Sequence, residues 1–230
     1  MAQITSHTHQ QQIWVNYLNQ SRWSDHWGSW LEIQYKTQNN FTKDVDIIEK
    51  TIGGVYFINK NVKLTGAYTH INQFSNTSAH TQTIEHRPWQ MIQVKTDFEK
   101  LKISHWFRLE ERIKELADHS FDLSYRYRYN IFTTYPLTRN PSQKNGLSLA
   151  MSNELFLQNG KNIVNNTFDQ NRFFVGFWYY VNNHDQLQFG LRLGAKPQAI
   201  YTTTPRATEF IRNLVKEPGT HTTYGTTYEN

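Results

Sequence analysis

Between Leu101 and Ile131 the chain alternates apolar and polar residues with a period of two, in two successive runs. In the second run Phe121, Leu123, Tyr125, Tyr127, Tyr129 and Ile131 are interleaved with Ser120, Asp122, Ser124, Arg126, Arg128 and Asn130. In the first, Leu101, Ile103, His105, Phe107 and Leu109 are interleaved with Lys102, Ser104, Trp106, Arg108 and Glu110. Side chains of a strand point alternately to opposite faces, so each run is an apolar ribbon backed by a charged one. A soluble sandwich would turn the apolar ribbon inward; a barrel that crosses a bilayer would turn the charged one inward.

Composition favours the second arrangement. Aromatic residues make up 15% of the 230 residues, yet the mean hydropathy is -0.72. A globular core is dominated by Leu, Val and Ile, whereas a transmembrane barrel combines an apolar outside, a polar lumen and aromatic girdles. No run of about 18 apolar residues is present, which excludes a membrane helix. A closed barrel is the other way to cross a bilayer with every backbone group paired. The absence of cysteine suits an envelope protein without disulfides but is also common in the cytosol. A formal charge of +5 raises nucleic acid as a partner, but the basic residues are spread through strands rather than gathered in a run, so none is expected. No charged segment followed by an apolar one precedes Gln11, so an exported chain of this sequence is expected to be a mature form.

Alternation and turn residues place strands over residues 12–22, 27–37, 47–58, 62–71, 84–98, the two runs above, 147–157, 172–181 and 186–193. Short turns alternate with longer polar loops, as in an outer-membrane barrel. The expected architecture is all-β: one antiparallel transmembrane β-barrel of about 10–12 strands with a polar, charged lumen. It occupies residues 11–193, after a tail (1–10) and before an atypical segment (194–230) in which QAIYTTT or EFIRNLV is a candidate closing strand. Gly53-Gly54 is read as a bend or close approach rather than a phosphate loop. If short turns are periplasmic, the first strand starts outside. That requires an earlier strand, a tail threaded through or around the barrel, or reversed sidedness.

Five segments, HRPWQ (86–90), WFRLEER (106–112), YRYRYN (125–130), NELF (153–156) and FDQNRFFVG (168–176), resemble a family of outer-membrane barrels common in Bacteroidetes-type bacteria, the domain of unknown function 2490. The resemblance covers about residues 10–193 and implies export, a barrel fold and no established activity. Members end in an alternating aromatic strand, and the C-terminal segment here departs from that pattern.

Charges facing lipid cost about 2–4 kcal/mol each near the bilayer midplane. Arg108, Glu110, Arg112, Arg126 and Arg128 are therefore assigned to the lumen, joined by Glu32, Lys36, Glu154 and Arg172. Phe121, Leu123, Tyr125, Tyr127, Tyr129 and Ile131 are assigned to the lipid face. Arg and Glu on neighbouring strands can pair in bidentate fashion, so the first reading is a structural or accessory barrel, within a larger envelope complex, whose lumen is filled by ion pairs. The alternative is a narrow anion-preferring channel or a barrel that binds lipid or phosphate. A third reading, a lipid hydrolase or acyltransferase, would draw on His70, His86, His105 and His119 with Ser104, Ser120 and Ser124, but no spacing singles out a triad. His7 and His9 lack a third metal ligand, and Glu110-Glu111 point to opposite faces. No cofactor or metal is expected; the expected partners are outer-membrane lipid and other outer-membrane proteins. Trp14, Trp23, Trp27, Trp30, Trp89, Trp106 and Trp178 are expected in the head-group girdles.

Overall fold

A computed structural model describes residues 12–38, 44–74, 82–116, 118–161, 163, 167–182, 184–195, 219–224 and 226–229. It contains twelve strands: β1 (Gln12–Arg22), β2 (Trp27–Gln38), β3 (Asp44–Phe57), β4 (Val62–Phe74), β5 (Gln82–Phe98), β6 (Leu101–Glu115), β7 (Phe121–Pro136), β8 (Leu147–Gly160), β9 (Phe168–Tyr180), β10 (Gln186–Ala195), β11 (Gly219–Tyr224) and β12 (Thr226–Glu229). Each pairs antiparallel with its sequence neighbours, and β12 pairs with β1, closing the barrel. The closing contact runs over Gln12–Val15 of β1 and joins the two ends of the sheet into the barrel that a bilayer demands. The first ten strands have ten to seventeen residues, enough to span the hydrocarbon when tilted.

Period-two alternation explains why these segments are strands, and β7 shows it best. Its odd-numbered residues from Phe121 to Tyr129 are exposed and Ile131 lies in phase with them. Ser124, Arg126, Arg128 and Asn130 turn to the interior, where Ser124 and Asn130 are buried. Glu99, in the two-residue β5–β6 turn, has φ 48°, a left-handed conformation that favours glycine. Gly53 is a close approach: a Cβ there would sit 2.9 Å from the Cα of Ala67. Gly54, its neighbour, points the opposite way into open space.

Closure falls on the Thr-rich strands β11 and β12. QAIYTTT and EFIRNLV, named above as candidates, lie outside the described residues, as does the N-terminal tail. With twelve strands, β1 begins and β12 ends on the same rim. That rim also carries the connections at 39–43, 75–81, 116–120, 161–167 and 196–218, and the opposite rim carries those at 23–26, 58–61 and 99–100.

The tryptophans correct a sequence expectation. Trp23 and Trp27 are exposed near one rim, but Trp14, Trp30 and Trp89 are buried and, with Trp106 and Trp178, line the lumen. Trp30, Val55, Trp89 and Met91 form an apolar cluster inside the barrel, against which Phe57, Ala67 and Trp106 pack. Twelve strands leave more room than charged side chains fill, and indoles occupy the remainder.

Candidate functional site: a luminal arginine–glutamate belt

Neighbouring strands set the belt by register. Between β6 and β7 Arg108 lies opposite Arg128 and Glu110 opposite Arg126; between β8 and β9 Glu154 lies opposite Arg172. Like charges facing each other across a ladder are unfavourable, so the Arg108–Arg128 pair requires acids from both sides. Glu110, with a fully buried side chain, supplies one. Its carboxylate accepts a hydrogen bond from Arg128 Nη1 at 2.6 Å. Arg108 Nη1 (3.6 Å), Arg87 Nε (3.8 Å) and Arg126 Nη1 (3.8 Å) complete a ring of four guanidinium groups around it. Arg128 also donates Nε to Glu154 Oε1 at 2.7 Å, and its Nη2 bonds the same oxygen.

A second node forms on Glu85. Arg112 binds it in bidentate fashion, Nε at 2.8 Å and Nη2 at 3.0 Å. Arg87 donates to its Oε1 from Nε and Nη2 at 2.8 and 2.7 Å. Lys36 pairs with Glu49 at 2.6 Å, and Arg126 Nη2 lies 2.8 Å from Asp169 Oδ2. Charge-assisted bonds of this kind fix side-chain positions more firmly than neutral ones. Aromatic faces carry the rest of the cationic surface. Arg108 stacks over Trp89 at 4.0 Å, Arg128 over Phe156 at 4.6 Å, and Lys36 over Trp14 at 4.2 Å, within the range of cation–π attraction.

All nine residues assigned to the lumen line the cavity. One of them, Glu32, plays a different part from the expected ion pairing, and Arg172 adds contacts of other kinds. Glu32 accepts hydrogen bonds from Asn16, Trp30 and Gln34 and forms no ion pair among the described residues. Arg172 donates Nε to Gln170 at 3.2 Å and lies over Phe156 and Trp14. Glu49, Glu85, Arg87, Asp169 and Arg192 also line the lumen and were not singled out in the sequence. The signal for Glu85 and Arg87 was their shared phase with Trp89 in β5. Polar residues on the other face, His86 and Gln90, mask that alternation.

The residues considered for catalysis are not brought together. His70 and His86 lie on the outer face, and His86 bonds Tyr68 Oη. His105 Nδ1 meets Tyr129 Oη at 2.8 Å, and His119 Nδ1 meets Glu115 at 2.7 Å. Ser104 accepts from Gln93, and Ser120 bonds Asp118. Among the described residues the hydrogen bonds of the histidine rings go to Phe57 O, Tyr68, Tyr129 and Glu115 and none to a serine hydroxyl, and no cluster of three potential metal ligands exists. His7 and His9 lie outside them.

One cavity of about 1280 Å³ runs beside the belt. It reaches from Lys63, Asp97, Lys102 and Asp185 at one rim to Gln73 and Lys114 toward the other. Its described lining carries twelve Lys and Arg side chains against eight Asp and Glu, an excess of four positive charges.

A closed antiparallel barrel with an apolar outside and a charged, indole-lined lumen defines the chain as a β-barrel of the outer-membrane type. Within that class it belongs to the family described as a protein of unknown function (DUF2490), whose model matches residues 11–199. Among solved structures it is similar to the NanC porin, with a TM-score of 0.51 and 9% identity over 97% of this chain and 98% of that one. No curated protein sequence matches it.

Proposed function

We propose that the chain is a narrow, anion-preferring channel of the outer membrane. The observation that carries this reading is the continuity of the luminal cavity past the ionic belt, from the Lys102 rim toward Lys114. A plug of ion pairs alone would leave no such space. The belt draws its side chains from β2, β3 and β5 to β9 and holds its arginines in place by paired carboxylates, so the fixed charge along the lumen does not drift with side-chain motion. An excess of positive charge in a confined aqueous path concentrates anions and repels cations. The likeness to a structure titled as a porin supports the same reading at the level of fold.

Single-channel recording in planar bilayers under a salt gradient tests it. The wild-type chain is expected to conduct, with a reversal potential displaced toward that of the anion, and Arg126→Ala is expected to reduce the displacement. A barrel that inserts but passes no current would return the ion-pair network to the structural or accessory role in an envelope complex.

A further inference from the structure

Pairing within the belt is uneven. Lys36, Arg87, Arg112, Arg126 and Arg128 each hold a carboxylate oxygen within 2.8 Å. Among the described residues the nearest carboxylate to Arg108 is that of Glu110, at 3.6 Å, and the same oxygen already accepts the short hydrogen bond of Arg128. Arg108 Nε has no acceptor, and Nη2 meets the thioether of Met91 at 3.7 Å. These two nitrogens form one guanidinium edge, the edge with which Arg112 grips Glu85. Indole faces, rather than acids, hold Arg108 in place: its guanidinium carbon lies 4.0 Å from the ring centre of Trp89 and 5.1 Å from that of Trp106. The side chain lines the cavity.

Asn130 departs from the belt's pairing in the complementary sense. It faces Trp106 across the β6–β7 ladder, in the next inward pair after Arg108 and Arg128, and it too lines the cavity. The residue is buried, yet its Oδ1 receives no hydrogen bond. A buried donor and a buried acceptor left unpaired each cost free energy. One solute carrying a carboxylate and a hydroxyl satisfies both.

We propose that Arg108 and Asn130 form a binding subsite for a hydroxylated carboxylate on the luminal path, which gives the channel reading above, on which it rests, a class of solute. The carboxylate takes the Nε–Nη2 edge of Arg108 in bidentate fashion, and Met91, unbranched and flexible, moves off that edge to admit it. A hydroxyl of the same solute donates to Asn130 Oδ1. Chloride cannot use two parallel donors as a carboxylate does. A phosphate dianion fits less well, because Glu110 and Glu154 border the site and one underpaired guanidinium balances a single negative charge.

Calorimetric titration of the full chain in detergent micelles tests the subsite, with sodium gluconate as the hydroxylated carboxylate and sodium acetate and inorganic phosphate as comparisons at constant ionic strength. Wild type is expected to bind gluconate saturably and about fivefold more tightly than acetate, the scale of one hydrogen bond. Arg108→Lys keeps the charge but loses the forked edge, so both carboxylates should weaken at least about tenfold. Asn130→Ala should bring gluconate to the affinity of acetate and leave acetate unchanged, a split that damage to the fold would not produce; heat-modifiable migration checks the barrel in each variant. The subsite would be overturned by absence of saturable gluconate binding, by phosphate binding as tightly as gluconate, by unchanged affinity in Arg108→Lys, or by Asn130→Ala weakening both acids alike. Gluconate binding without current in planar bilayers would keep the subsite and remove the channel reading, and anion current without gluconate binding would do the reverse.

Discussion

Glu110→Gln is expected to destabilise the barrel by about 3–5 kcal/mol, the range found when one partner of a buried ionic cluster is removed. What the carboxylate faces sets the size of the loss. Four guanidinium groups lie within 4 Å of it, and its side chain is fully buried, so no water replaces the lost charge. Arg128 and Arg126 retain Glu154 and Asp169. Arg108 loses its nearest carboxylate, and its Nε already has no hydrogen-bond acceptor. The double variant Glu110→Gln/Arg108→Met should therefore recover at least about 1 kcal/mol, a coupling typical of residues in one network. Asp97→Asn, at the exposed rim, should stay within about 0.5 kcal/mol of wild type. Urea unfolding of the barrel refolded in lipid vesicles measures all three.

Trp89→Ala should cost a similar amount, about 3–5 kcal/mol, and should also raise unitary conductance. Trp89 is 2% exposed and sits edge-on to Trp30 with ring centroids 5.7 Å apart. It donates Nε1 to Thr69 at 3.0 Å and carries the Arg108 guanidinium on its face. Its loss deletes apolar packing inside the barrel, releases a cation and widens the path. Opposite changes in stability and conductance separate this residue from one that only supports the fold, whose removal would lower both insertion and current. A stable variant with unchanged current would show that the indole layer does not bound the conducting path.

The two faces of β6 and β7 were legible because each is chemically pure: tyrosines and aliphatics on one, arginines and glutamates on the other. In β5 the same period is present but weak, since His86 and Gln90 share the outer face with Ile92 and Val94, and the Glu85–Arg87 node went unseen. In β3 Glu49 and Lys50 are adjacent and charged, so alternation alone does not say which enters the lumen. Pairing does, through Lys36 on the neighbouring strand. The indoles failed for a different reason. Trp30 lies in phase with Glu32 and Lys36, and Trp106 with Arg108 and Glu110, so their phase placed them inside; reading them by residue type as girdle anchors overrode it. Closure was hidden because β11 and β12 are short and threonine-rich, and threonine does not mark a face.

Single-cysteine labelling along residues 121–131 tests directly which ribbon of β7 faces lipid. The chain has no cysteine of its own, so each label reports one position. In vesicles of brominated lipid, fluorophores at 121, 123, 125, 127, 129 and 131 should be quenched, and those at 122, 124, 126, 128 and 130 should not, giving an unbroken period of two. Quenching at the arginine positions, or none that alternates, would contradict a barrel with its charges inside.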